Sequence, residues 1–386
     1  MRIALYGPYM FELAAGLREN PSNVVRLFLD DETMPGSLLD EPLIHDSGFV
    51  SIGHWATRRS ILRPEGAPIT RALAEFDVAL VTELGPVFAQ HSGAEFIFIP
   101  TGWDLTCGPF PIRSRSSRQR GLGDLSAVVV AARLRSGIRA ALEIWGAPFR
   151  PFERAVKRLG CALSANLPQP IDTNVFSPTR EMEPAKGESG GTTIFHPARM
   201  VFSTDPFLVE TGQWKGNDIL IQGFADAISR GVDTRLVLLD RGGSSDQEMA
   251  RRLINELGVH DSVEWLSSGA SAGFTWRQLA DLYCSSDLVV DEFGGWFGLV
   301  ALEGASCGKP VLNHVAADVM ALMYPDGHPF LQAHTAEEVR ETITLLSDTD
   351  RRTAIGNASR QWVLEHHDRT VVARRCESML AALGLM

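Results

Sequence analysis

Residues 288–312 hold the densest chemistry in this chain: Leu-Val-Val-Asp-Glu-Phe-Gly-Gly-Trp-Phe-Gly-Leu-Val-Ala-Leu-Glu-Gly-Ala-Ser-Cys-Gly-Lys-Pro-Val-Leu. An apolar strand, Leu288 to Val290, leads into a glycine-rich turn. The turn opens a helix that carries Glu303 about one turn inside it, and a second strand starts near Pro310 and Val311. The chemistry of such a unit is anion binding. Unpaired N–H groups near Gly298 to Val300 would point beyond the strand end. Glycines 294, 295 and 298 let backbone approach a ligand where a Cβ would clash. An ionised carboxylate behind the turn suits a ribose diol, because it accepts two hydroxyl hydrogen bonds. An ordinary strand–turn–helix of an α/β domain has the same spacing, so both readings stand at this point.

Two cations stand near other strand and helix ends. Arg199 follows the run Thr192–Phe195, and Lys215 stands in Gln213-Trp214-Lys215-Gly216-Asn217-Asp218, just before a helix from Ile219. Together they could hold a diphosphate and neutralise the charge that grows on it as a bond to it breaks. Asp104, in Pro100-Thr101-Gly102-Trp103-Asp104, follows the apolar run Phe96–Ile99. It could serve as a base or hydroxyl ligand, or as a turn and helix cap. Histidines 196, 314, 334, 366 and 367 lack metal-ligand spacing, and no metal site is expected. No GxxxxGK[ST] loop occurs. Gly121-Leu122-Gly123 lacks the third glycine of a dinucleotide fingerprint and follows no strand.

The elements that must position these groups alternate. Strand-like runs are Arg2–Tyr6, Val24–Leu29, Val78–Thr82, Phe96–Ile99 and Cys161–Ser164. In the second half they are Thr192–Phe195, Arg235–Leu239, Ser262–Leu266, Leu288–Val290 and Pro310–Asn313. Helical spacing fills the intervals, as in Ile219–Ser229, Gln247–Leu257 and Ala336–Leu346. Arg352 to Leu383 reads as two helices broken near His366-His367-Asp368. This alternation predicts an α/β protein with two doubly wound, Rossmann-like domains and a ligand site in the cleft they face. The expected division is 1–175, 176–365, and a final helix, 366–386, packing back on the first domain. The linker lies between Pro168 and Gly191, where Pro, Gly, Glu and Lys cluster.

Composition narrows the class. At 386 residues the chain has room for two domains, and 45% apolar content supports a sizeable core. Five scattered cysteines suggest neither a zinc site nor a disulfide framework, so a reducing cytoplasm fits. Met1-Arg2-Ile3-Ala4-Leu5-Tyr6 reads directly as a first strand, and no signal peptide is expected. No apolar run approaches the roughly 18 residues of a membrane span. A net charge of −11 argues against nonspecific nucleic-acid binding. Residues 111–160 depart from that balance, with eleven basic residues against three acids; the rest of the chain has 25 against 44. Trp145, Phe149 and Phe152 interleave with the basic residues. That combination fits a solvated basic face, a peripheral contact with anionic lipid at the inner face of the membrane, or an anionic acceptor.

With these pieces in order, the chain resembles the family-4 retaining glycosyltransferases of the GT-B fold. The residues that carry the resemblance are Arg199, Lys215-Gly216-Asn217-Asp218, Trp296-Phe297-Gly298-Leu299-Val300-Ala301-Leu302-Glu303 and Gly308-Lys309-Pro310-Val311-Leu312. The stretch from Pro168 to Pro178 looks like the family's join between domains. The resemblance implies a nucleotide-sugar donor, as substrate rather than cofactor, on the C-terminal domain and a hydroxyl acceptor on the N-terminal one. It implies that Arg199 and Lys215 hold the diphosphate and that Glu303 contacts the ribose. Backbone groups of Phe297, Gly298 and Leu299 would meet sugar and phosphates. It also implies retention of anomeric configuration by front-face attack, with no metal needed. Two positions depart from the family. Its first glutamate is Gly295 here, with Asp291 or Glu292 as candidate stand-ins, and Thr101 stands where His is common. Both departures fall on the sugar end of the site. They keep open a nucleotide-sugar-binding pseudoenzyme, and a GT-B nucleotide-sugar epimerase is the third reading. A glycolipid, a polysaccharide and a natural product are all open as acceptor.

Overall fold

The computed structural model describes residues 1–110, 123–178, 191–202, 205–269 and 273–385, with the side chains of 123–126 left out. Arg113, Arg115, Arg118 and Arg120 of the basic stretch, Gly121-Leu122, and linker residues 179–190 therefore lie outside the described residues. The chain forms two compact units, Met1–Pro170 with Arg369–Met386, and Ile171–Asp368.

The first unit is built on six parallel strands: β1 (Arg2–Tyr6), β2 (Val24–Asp30), β3 (Val50–Gly53), β4 (Val78–Val81), β5 (Glu95–Phe98) and β6 (Glu143–Ile144). They lie in the order β3-β2-β1-β4-β5-β6. The second holds β7 (Thr192–His196), β8 (Thr234–Leu239), β9 (Val263–Leu266), β10 (Leu288–Val290), β11 (Val311–Asn313) and β12 (Leu331–Gln332). Their order is β12-β11-β10-β7-β8-β9, also parallel. Central strands β4 and β10 are buried at every position, which is why they read as unbroken apolar runs. Both sheets are thus doubly wound, with the order reversing beside β1 and beside β7. Ligands of such sheets bind beyond the carboxyl ends of the strands near that reversal.

The sequence reading departs from the structure at the edges. Cys161–Ser164 forms no strand; Ser164 N–H donates to Ile144 O (3.0 Å), and one isolated bridge joins Trp145 to Ala165. The edge strands β3, β6 and β12 are absent from the sequence-based expectation. Each is two to four residues long and only partly buried, so periodicity is weak there. The two terminal helices run Thr349–His366 and Arg369–Ala382. The second packs on the helix Phe11–Arg18 closely enough that a Cβ on Gly16 would lie 2.5 Å from Arg369 O. Arg369 also pairs with Glu12 and Glu19, each at 3.4 Å.

The aromatic part of the proposed membrane contact fails. Trp145 and Phe152 are core residues, and Phe149 packs on Phe152 with ring centroids 4.5 Å apart. The helix Arg150–Leu159 buries Phe152, Ala155, Val156 and Leu159 and leaves Arg150, Arg154, Lys157 and Arg158 exposed. The basic residues here are the solvated face of an amphipathic helix, and the interleaved aromatics are its buried face. Among the described residues no helix is long and apolar enough to cross a membrane, and no group of His, Cys, Asp and Glu could hold a metal ion.

Candidate functional site

In the second unit, β10 ends at Val290 beside β7, and the loop 291–298 follows. Asp291 is 2% exposed, and its Oδ2 accepts the Gly298 N–H at 2.7 Å. This bond closes the loop and caps the helix Leu299–Ser306, so one amide expected to face a ligand is already satisfied. The amides of Leu299 and Val300 have no partner among the described residues. Gly294 is required by contact: its Cβ would stand 2.6 Å from Trp214 O. Gly295 adopts φ +97°, and its N–H donates to His314 O at 3.1 Å. Phe293 N–H donates to Lys215 O (3.0 Å), tying the loop to the segment before the helix Asn217–Ser229.

Lys215 forms an ion pair with Glu292. Burial pulls the Lys215 ammonium below its usual range, the Asp291 charge opposes that, and Arg199 adds to it. Arg199 is exposed, and its carbonyl accepts the Asn217 amide (3.3 Å). Asn217, fully buried, holds this corner together. Its Oδ1 accepts Val201 N–H at 2.7 Å, and its Nδ2 donates to His196 Nε2 at 2.8 Å. His196 Nδ1 then donates to Val290 O (2.7 Å), bridging β7 to β10. Burial lowers the imidazole to about 4, so it is neutral at physiological pH and serves as scaffold.

Glu303 points inward, and Tyr283 Oη donates to its Oε2 at 2.7 Å. Burial raises its carboxyl to about 7; the Tyr283 bond holds it down, the Asp291 charge adds to the rise, and Arg241 counters it. Arg241, just beyond β8, donates to Pro197 O at 2.9 Å and stands within electrostatic reach of Arg199 and Glu303. Sequence reading missed Arg241 and Tyr283, and gave Asn217 no role of its own. A cation two residues past an apolar strand, in Asp240-Arg241-Gly242-Gly243, was the available signal for the first.

In the first unit, Asp104 is not an available base. It is 1% exposed, Oδ1 accepts the amides of Thr101 (2.9 Å) and Gly102 (3.0 Å), and Oδ2 accepts that of Glu83 (2.9 Å). Burial nevertheless lifts it to about 6 against those bonds. Its role is to fix the loops after β4 and β5. Thr101 gives its backbone amide to Asp104. Glu83, which sequence reading did not single out, is the carboxylate at this edge without a partner among the described residues.

Residues 253–380 match the glycosyl transferase-like family. Among curated proteins, the chain is similar to a D-inositol 3-phosphate glycosyltransferase of Corynebacterium aurimucosum, 32% identical over 161 residues. That match covers 40% of this chain and 37% of the relative. A protein of the same name from Rhodococcus erythropolis is 39% identical over 114 residues, covering 28% and 24%. Both matches span well under half of the relatives' length. Among solved structures, Anabaena HepE in complex with UDP and glucose superposes with TM-score 0.65 at 17% identity, covering 99% of this chain and 100% of that one. A sucrose-phosphate synthase from Thermosynechococcus elongatus gives 0.64 at 15% identity, covering 99% of each. At these identities the likeness establishes the fold.

Proposed function

We propose that this chain, which has the GT-B fold and matches the glycosyl transferase-like family over residues 253–380, is a retaining glycosyltransferase using a nucleotide-diphosphate sugar. The observation that carries this reading is the corner at the ends of β7, β8 and β10. Arg199, Lys215 and Arg241 gather there with two unpartnered amides, those of Leu299 and Val300, and Glu303 lies about one turn behind. Fixed cations and helix amides aimed at one place stabilise the charge that a departing diphosphate acquires. In this reading the diphosphate displaces Glu292 from Lys215, and the ribose hydroxyls donate to Glu303. The acceptor hydroxyl loses its proton to the leaving phosphate on the face where the bond breaks, which retains configuration. The fixed cations supply the charge that a metal would otherwise bring. The structural neighbour HepE has been crystallised in complex with UDP-glucose, which favours a uridine donor.

A second reading, donor binding without transfer, draws on one observation. Gly295 offers no side chain, Asp291 is committed to Gly298, and Glu292 to Lys215, so no carboxylate of this loop is free for the sugar. A thermal-shift panel of UDP-, GDP-, ADP- and dTDP-sugars, followed by transfer assays, separates the two. A nucleotide hit that disappears in Lys215→Ala and Glu303→Ala supports the site. At about 100-fold over its dissociation constant such a ligand adds roughly 2.7 kcal/mol. Transfer that survives in both Asp291→Ala and Glu292→Ala would remove these residues from the sugar end. A flat panel ends both readings.

A further inference from the structure

We propose that the first unit carries, at the carboxyl edge of its sheet, a binding site for an amine-bearing polyol, built from the Tyr6 hydroxyl and the Glu83 carboxylate, with Asp30 and Asp104 behind them. Tyr6 ends β1 and pairs in register with Val81 of β4; Glu83 lies two residues beyond Val81. Asp30 ends β2, the neighbour of β1 on its other side, and Asp104 follows β5. Adjacent parallel strands thus deliver all four groups to one edge, the edge where doubly wound sheets bind ligands.

Two of these groups lack partners. Tyr6 is 3% exposed, yet its hydroxyl has no hydrogen-bond partner among the described residues. The ring is buried but the hydroxyl oxygen is not sealed from solvent, so a ligand atom can reach it at the strand end. The Glu83 carboxylate likewise has neither hydrogen bond nor ion pair among the described residues, although its backbone is fixed by Asp104. Glu83 holds φ +52°, the single non-glycine residue in that region among the described residues. Asp30 and Asp104 are satisfied by backbone amides and supply charge from behind.

Charge selects the class. None of the three carboxylates is paired with a cation among the described residues. Burial first, then Asp104 and Asp30, push the Glu83 carboxyl up to about 7, while burial, then Asp30 and Glu83, raise the Tyr6 phenol. A phosphate here would face like charge. An ammonium would give Glu83 the partner it lacks, and a ring hydroxyl would complete Tyr6. The site therefore disfavours a phosphorylated acceptor of the kind named for the inositol phosphate relatives. That the occupant is an acceptor rests on the transferase reading; the binding does not.

The test is saturation-transfer NMR titration of the full chain at neutral pH without nucleotide, using glucosamine, N-acetylglucosamine and glucose 6-phosphate. Glucosamine should bind about tenfold more tightly than N-acetylglucosamine, as expected for one charge-assisted hydrogen bond. Glucose 6-phosphate should be the weakest. Glu83→Gln should abolish the preference for the amine, and Tyr6→Phe, which keeps the ring, should weaken both amino sugars several-fold. Melting curves of both variants check that they fold. Equal or tighter binding of glucose 6-phosphate, an amine preference unchanged in Glu83→Gln, or no binding by any of the three overturns the proposal. Glucosamine binding together with a flat nucleotide panel would leave the site and withdraw the acceptor assignment.

Discussion

Glu303 titrates where a binding experiment can see it. Its carboxyl is raised from 4.5 to about 7, chiefly by burial. Ribose hydroxyls donate to the ionised form, and the protonated acid competes with them. With the free-site value at about 7, roughly one molecule in eleven is ionised at pH 6 and ten in eleven at pH 8. If the ionised form alone accepts the diol, donor affinity rises about tenfold over that interval and levels above it. An ordinary glutamate would already be ionised at pH 6 and give no slope. A nucleotide-diphosphate sugar keeps constant charge across this range, so the slope belongs to the protein. The assay is isothermal titration of the nucleotide sugar picked out by the thermal-shift panel, at pH 6, 7 and 8 and fixed ionic strength. Glu303→Gln should bind weakly and show no slope. Tyr283→Phe removes a bond that holds the carboxyl down, so its rise should move to higher pH and its affinity at pH 7 should fall. A flat wild-type profile, or a slope that persists in Glu303→Gln, refutes the assignment of Glu303 to the ribose.

Three further outcomes follow from the same geometry. Glu292→Ala frees Lys215 and should tighten binding of UDP alone several-fold, whereas Lys215→Ala should weaken it at least tenfold, the scale of a lost charged contact; calorimetry of the two variants in parallel decides, and a loss in both rejects the displacement of Glu292 by phosphate. Asn217→Ala orphans the buried Val201 amide and His196 Nε2, at about 1–3 kcal/mol for each group. Its melting temperature should drop by several degrees, and an unchanged melt would show that water or a shifted loop replaces the amide. Gly356→Ala would ordinarily stabilise a helix interior by about 1 kcal/mol. Here the new Cβ would lie 2.0 Å from Gly308 O, so the sign should invert and cost about 1–3 kcal/mol in urea unfolding.

The sequence by itself determined what is local. Central strands covered on both faces are mostly apolar, so Arg2–Tyr6, Val78–Thr82, Thr192–Phe195 and Leu288–Val290 could be read from composition over a few residues. Helix spacing marked Ala336–Leu346, one residue past the helix end at Leu345, and the break near His366-His367-Asp368. Lys215, Arg199 and Glu303 were legible as chemistry because each stands within a few residues of the strand or helix end that presents it. The tertiary structure alone decided who meets whom. Glu303 finds Tyr283 across 20 residues, His196 finds Val290 across 94, and Tyr6 comes beside Val81 by strand pairing. No short window encodes which parallel strand will lie next to which. Burial was also decided there. It turned Asp104 from a base into a clamp on the Thr101, Gly102 and Glu83 amides, and it placed Trp145 and Phe152 in the core behind a basic helix face. A carboxylate or an aromatic ring carries its chemistry in its type, but whether it is free to use it depends on neighbours that only the folded chain supplies.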